Sequence, residues 1–199
     1  MIKAILFDVD GVLLDSFAAN LDFFQKVMPA AGYPAPTSEE YLPLFFVSLR
    51  DTIIALSGQN DETEIERIKT IALSPQIVSL NPKLMVGAED AIKRLAKKYD
   101  LAVVTSRIKE YALEGDLNRL KNYFQTIVAY EDTENHKPLP DPLLKAASDL
   151  KVHPQECLYI GDALSDYQAA KAADMPIIMF RYQDMIDGVK IIHDFSELN

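Results

Sequence analysis

Near the amino terminus an apolar run, Ala4 to Phe7, ends on Asp8; a second acid follows at Asp10, and Gly11 comes next. A run this short with no polar alternation reads as a strand buried on both faces, the kind found in the middle of a parallel sheet. Open α/β sheets place their ligands beyond the carboxyl ends of the strands. Two carboxylates at that edge are costly to hold together unless a cation joins them. A plain alternative is a strand followed by an Asx-type turn, in which Asp10 only shapes the loop. The remainder of the chain bears on which reading applies.

The second half alternates strand-like and helix-like segments. Leu101 to Val104, Thr126 to Ala129, Leu158 to Ile160, Pro176 to Phe180 and Val189 to Ile192 are apolar runs. Ala88 to Lys98 is amphipathic, with Ala88, Ala91, Ile92 and Leu95 on one stripe. Pro142 to Leu150 is helical in pattern with Asp141 as its N-cap, and Ala163 to Ala173 is another helix. This order predicts an α/β fold with a doubly wound, mostly parallel sheet. Ser16 to Leu80 breaks the alternation. Ser16 can cap a helix carrying Phe17, Leu21, Phe24 and Met28 on one face, and segments opening at Ser38, Asp51 and Glu62 continue the helical pattern. The expected organisation is a catalytic core of residues 1–15 and 82–199 with a helical cap inserted over 16–81. Hinges are expected at Asp15-Ser16 and from Leu80 to Lys83. Phe17, Phe23, Phe24, Phe45 and Phe46 are expected to form the cap core, with one of them a candidate to face the substrate instead.

A formal net charge of −10 with no Lys/Arg-dense segment argues against nucleic acid or an anionic membrane as partner. No apolar stretch approaches the ~20 residues of a membrane helix. Cys157 is the lone cysteine, which excludes an internal disulfide and points to a reducing, cytoplasmic setting. An anionic substrate would then need a site made locally positive.

Polar residues at the predicted strand ends supply such a site. They are Asp8 and Asp10; Thr105 and Ser106; Lys137 in His136-Lys137-Pro138; and Asp162 with Asp166 in Gly161-Asp162-Ala163-Leu164-Ser165-Asp166. Phosphoryl transfer demands an in-line nucleophile, neutralisation of the phosphate oxygens and a proton for the leaving group. A carboxylate such as Asp8 can attack phosphorus and form an aspartyl-phosphate. Asp8, Asp10 and Asp162 offer hard oxygen ligands with no Cys or His cluster, a set that suits Mg²⁺. Thr105 offers a hydroxyl, Ser106 a backbone N–H at a helix start, and Lys137 a positive point charge. Asp166 is expected to orient Lys137 or a metal-bound water. Taken singly, Thr105-Ser106 could cap a helix, Lys137 could be a solvated loop lysine, and His136 a loop residue or a modest substrate contact.

Together these motifs resemble the haloacid dehalogenase superfamily, at spacings similar to its phosphoglycolate phosphatase and β-phosphoglucomutase branch. The resemblance implies that Asp8 and Asp162 bind metal through side chains and Asp10 through its carbonyl, leaving the Asp10 side chain free for acid–base work. It also implies a cap arginine near the substrate, for which Arg50 in Ser48-Leu49-Arg50-Asp51 is the candidate. Dehalogenases and phosphonate-cleaving relatives lack the acid corresponding to Asp10. Hydrolysis of a small phosphorylated metabolite is therefore the leading expectation. A phosphohexose mutase using the same residues is the alternative, and a non-catalytic binding protein on the same fold is a further one. Asp174 departs from the resemblance, standing where relatives usually carry glycine.

Overall fold

The strand Ala4–Phe7 (β1) is buried along its whole length, and its side chains divide between two cores. Ala4 and Leu6 pack with Leu143, Ala146, Ala169 and Ala170 on one face of the sheet. Ile5 and Phe7 pack with Ala91, Ile92, Leu117 and Phe195 on the other. An alternating strand would have offered only one apolar face; this run covers both, which is why it occupies the centre.

The computed structural model describes residues 1–74, 77 and 82–198. The expected hinge residue Leu80 lies outside them. The chain divides into two compact units, Met1–Asp15 with Lys83–Asn199, and Ser16–Pro82.

In the first unit β1 is joined by β2 (Leu14–Asp15), β3 (Lys83–Leu84), β4 (Asp100–Val104), β5 (Thr126–Val128), β6 (Cys157–Gly161), β7 (Ile177–Phe180) and β8 (Lys190–Ile192). Six of these form one sheet in the order β5-β4-β1-β6-β7-β8, with every pairing parallel. The chain builds outward from β1 on one side, then returns to add β6 on the other. That reversal is a topological switch point, where such sheets open a crevice beyond the strand ends. β2 and β3 pair antiparallel in a separate ribbon that the apolar pattern did not reveal. The helices are α5 (Ala88–Leu95), α6 (Asp141–Leu150) and α7 (Leu164–Ala172), numbered after four in the other unit.

Several expectations need correction. Helix α6 takes Pro140 as its N-cap, so Asp141 is its first residue and accepts from the Asn135 amide at 2.9 Å. Between β4 and β5 the described backbone is bends and 3-10 turns (Lys109–Tyr111 and Gly115–Tyr123), with no α-helix. Only Leu117 and Leu120 of the longer turn are buried, too sparse an apolar stripe to hold a full helix against the sheet. Asp174 adopts φ +52°, a left-handed conformation that glycine reaches without steric cost.

The second unit contains α1 (Phe17–Ala30), α2 (Ser38–Tyr41), α3 (Leu49–Ser57) and α4 (Glu62–Ala72). Side chains close their starts: Thr37 and Glu40 form a reciprocal capping box, Ser48 accepts from the Asp51 N–H, and Asp61 accepts from the Glu64 N–H. Ser16 occupies the N-cap of α1 without a side-chain capping bond. Phe23, Phe24, Val27 and Met28 of α1 pack with Ile53, Ile65 and Ile68, and Phe17 and Phe45 join from the edge. Phe46 meets Phe45 edge-on yet stays 46% exposed, outside that core. Among the described residues no helix is long and apolar enough to cross a membrane.

Candidate active site

Asp8 directly follows β1 and continues its ladder, donating its backbone N–H to Ile160 of β6 at 2.9 Å. The side chain is fixed at both oxygens. Oδ1 accepts from the Val9 N–H at 2.7 Å, and Oδ2 lies 3.0 Å from the Lys137 ammonium. Lys137 comes from the loop before α6, and only 6% of its side chain is exposed. It also donates to Asp166 Oδ1 at 2.7 Å and to the Tyr159 hydroxyl at 3.1 Å.

Asp166, on the first turn of α7, is fully buried, and both its oxygens are engaged. Besides Lys137, Oδ1 accepts from the Tyr159 hydroxyl at 2.9 Å; Oδ2 accepts from the backbone N–H groups of Asp162 and Ala163 at 3.1 and 3.0 Å. One carboxylate thus ties the lysine to the loop that carries Asp162. Gly161 permits this closeness, since a Cβ there would stand 2.4 Å from that of Asp166.

Asp8, Asp162 and Asp166 each place a carboxylate oxygen within 4.8 Å of the others. Burial raises the Asp8 carboxyl, to about 7, against the opposing pull of Lys137, with Asp166 and Asp10 adding to the rise. Burial also drives Asp162 well above the carboxylate range, reinforced by Asp166 and Asp8. Burial works against the Lys137 ammonium, but Asp166 and Asp8 outweigh it and hold its pKa above the ordinary lysine value. One ammonium among these acids leaves a deficit of positive charge. The donor set fits a divalent cation: the oxygens are hard, no thiolate or imidazole belongs to the cluster, and the shortfall is in charge. Because Asp166 is already saturated, Asp8 and Asp162 are the side chains suited to hold the ion.

Gly11 shapes the same corner. It has φ +72°, and a Cβ would fall 1.8 Å from Asp162 Oδ2. Gly11→Ala is expected to destabilise the fold by at least about 1–2 kcal/mol through left-handed strain, and to weaken metal binding by displacing Asp162. Thermal melts with and without Mg²⁺ read both effects.

Asp10, which the family resemblance assigns to acid–base work, is held in place by a neighbouring cation. Its carboxylate is gripped by Arg107, with Nε to Oδ2 at 2.7 Å and Nη2 to Oδ1 at 2.8 Å. Thr105, 4% exposed at the end of β4, accepts the Arg107 N–H on its hydroxyl at 3.1 Å. Ser106 follows in a bend rather than at a helix start, so its N–H has no helix dipole behind it. His136 stacks on Tyr130, with ring centroids 3.7 Å apart. Arg50 is on α3 of the other unit, where its guanidinium pairs with Glu62.

Comparison with known proteins shows the family. The family model described as haloacid dehalogenase-like hydrolase matches residues 5–180. The chain belongs to that family. It is an enzyme whose relatives are named as phosphatases and pyrophosphatases. It is 34% identical over 184 residues to a Caldanaerobacter subterraneus subsp. tengcongensis protein assigned as pyrophosphatase PpaX, covering 91% of this chain and 82% of that one. It is 28% identical over 190 residues to the phosphoglycolate phosphatase of Nitrosospira multiformis, covering 91% and 84%. The crystal structure of CbbY from Rhodobacter sphaeroides in complex with phosphate aligns over 100% of this chain and 96% of that one, with TM-score 0.82 and 26% identity.

Sequence reasoning missed Tyr159, Arg107 and Glu114. Tyr159 had a usable signal: a hydroxyl within an apolar, buried strand must find a polar partner. Arg107 stands one residue past the Thr105-Ser106 pair, yet its partner is ninety-seven positions away.

Proposed function

We propose that the protein is a Mg²⁺-dependent phosphatase that hydrolyses a small phosphomonoester through an aspartyl-phosphate on Asp8. The observation that carries this reading is the placement of Asp8 at the end of β1, held by Lys137, which is itself anchored by Asp166. Family membership, and relatives named as phosphatases, support it.

In the proposed reaction an Asp8 oxygen attacks phosphorus while the bond to the leaving oxygen breaks. Asp10 gives that oxygen a proton, then takes one from the water that attacks the aspartyl-phosphate, releasing phosphate and restoring Asp8. Lys137 places positive charge beside Asp8 and the transferring group. Thr105, and the Ser106 N–H, are assigned to the phosphate oxygens. Asp8, Asp162 and the Asp10 carbonyl would hold the Mg²⁺ ion, which when bound would supply positive charge against the neighbouring carboxylates and the phosphate. Residues 16–81 are assigned as the cap domain that bears selectivity, with Arg50 as a substrate contact once it leaves Glu62.

Purified protein is expected to release phosphate from an aryl phosphate, and from members of a panel of phosphorylated metabolites, when Mg²⁺ is present. Chelation is expected to lower the rate at least ~10²-fold, and added Mg²⁺ to restore it. Activity that persists in chelator would overturn the metal assignment, and no release from any ester would overturn the phosphatase reading. Supplying a hexose 1-phosphate with catalytic bisphosphate tests the mutase alternative, which would yield the 6-phosphate without free phosphate.

A further inference from the structure

Arg107 has no role in the reaction as described so far, yet it is among the most constrained side chains in its unit. Nε and Nη2 take both oxygens of Asp10 in a planar two-bond fork. Nη1 donates to the Glu114 carboxylate at 3.0 Å and to the Tyr111 carbonyl at 3.3 Å. The backbone is pinned as well: Tyr130 donates its N–H to the Arg107 carbonyl at 2.9 Å, and the Arg107 N–H reaches the Thr105 hydroxyl. The Arg107 and Glu114 side chains are 9% and 13% exposed. A guanidinium engaged at each of its three nitrogens in this way is not a mobile surface charge. Its fork has one direction, set in part by Glu114 and Tyr111, which are not part of the proposed chemistry.

An aspartate has two side-chain rotors, and proton transfer demands that its oxygen meet the reacting atom within hydrogen-bond reach. A catalytic group must be held to about 0.5 Å by its supporting shell to perform well. A carboxylate oxygen accepts more than one hydrogen bond, so the fork orients Asp10 without blocking the transfer. Lysine could match the charge but not the planar two-point grip.

We propose that Arg107 is a positioning residue for Asp10, held in its own orientation by Glu114, and that it aims the Asp10 carboxylate at the leaving-group oxygen. This rests on the phosphatase reading above. Its consequence is selective. An alkoxide needs Asp10's proton to depart, whereas nitrophenolate leaves without one. Misaiming Asp10 must therefore slow alkyl esters far more than aryl esters in kcat/KM, which reports the phosphorylation step alone.

The test measures kcat/KM for p-nitrophenyl phosphate and for an alkyl phosphate in wild type, Arg107→Lys, Arg107→Met and Glu114→Gln. Both Arg107 variants are expected to lose about 10²-fold on the alkyl ester, within the usual range for general acid catalysis, and less than ~10-fold on the aryl ester. Glu114→Gln should show the same asymmetry to a smaller degree. Asp10→Asn with Arg107→Met should be no worse on the alkyl ester than Asp10→Asn alone, because both act through one group. Equal losses on the two substrates, recovery by lysine, or multiplicative losses in the double variant would each overturn the proposal. Should Arg107→Met fail to fold, Arg107→Lys and Glu114→Gln decide by the same comparison. Wild-type protein that cleaves neither ester defeats the phosphatase reading itself; active wild type with symmetric losses defeats the role of Arg107 alone.

Discussion

Asp8→Asn is expected to reduce phosphate release by about 10³-fold or more, since an amide cannot serve as the carboxylate nucleophile proposed above. The same change is expected to leave the metal-free protein at least as stable as wild type above pH 7. The Asp8 carboxyl is raised from its ordinary value to about 7, chiefly by burial, so its ionised form is disfavoured in the folded state despite Lys137. A group whose folded pKa is raised contributes stability below its unfolded pKa, and that contribution is lost as pH climbs through the folded value. For Asp8 the window runs from the ordinary carboxylate range up to about 7. Asparagine is neutral throughout, like the protonated acid, and so escapes the loss. Melting temperatures in chelator should therefore rise for wild type as pH falls from 8 to 5.5 relative to the variant. A variant that melts well below wild type at pH 8 would show that Lys137, not burial, dominates the balance. Loss of activity with retained stability is the pattern expected where function imposes an unfavourable charge.

Lys137→Met is expected to produce the opposite thermodynamic outcome at the neighbouring position. The ammonium touches Asp8 Oδ2, Asp166 Oδ1 and the Tyr159 hydroxyl, and it is the cation shared by the two acids. Removing one partner from a buried ion pair typically costs about 3–5 kcal/mol, because the remaining charge is left uncompensated. In a chain of this size that corresponds to a fall on the order of 10 °C in melting temperature. Phosphate release should fall together with stability. Calorimetry on the folded variant separates the two losses, and Mg²⁺ should recover part of the stability but not the rate. A melting temperature within a degree or two of wild type would mean that the acids relax or take up protons at no cost, which would sink the argument from burial. Arginine should not substitute, because the space among Asp8, Asp166 and Tyr159 fits a compact ammonium.

Lys137, in the loop before α6, was legible through the family's motif order; Asp8 was legible just beyond an apolar run and Asp166 near a helix start, where chain order assigns them to one sheet edge. The parallel strands were legible for the same reason: Ala4–Phe7 and Leu101 to Val104 have no polar face to spend on solvent. The segment after Thr105 was not. Its helix propensity is not poor, but its short 3-10 turns are held by Arg107 reaching Asp10 and by Lys109 meeting Glu131 and Asp132, and none of these bonds is local. Which aromatic would stand outside the second unit's core was not legible, because hydrophobicity does not indicate which of two adjacent phenylalanines, Phe45 or Phe46, turns inward.

Hydrophobic periodicity by itself pointed to an α/β sheet with a helical insertion after the first strand. The order of strand-end polar residues put Asp8, Thr105, Lys137 and Asp162 at one expected sheet edge, their roles coming from the family resemblance. These are local properties repeated along the chain, and the single carboxyl edge of a parallel sheet gathers them without further information. Only the tertiary structure decided what each side chain holds: that Asp166 saturates itself on Lys137, Tyr159 and two backbone N–H groups, and that Arg107 takes both oxygens of Asp10. Such bonds depend on distances of a few ångströms between residues far apart in sequence. Burial then gives each bond its weight, because a charge withdrawn from water must find its partner within the fold.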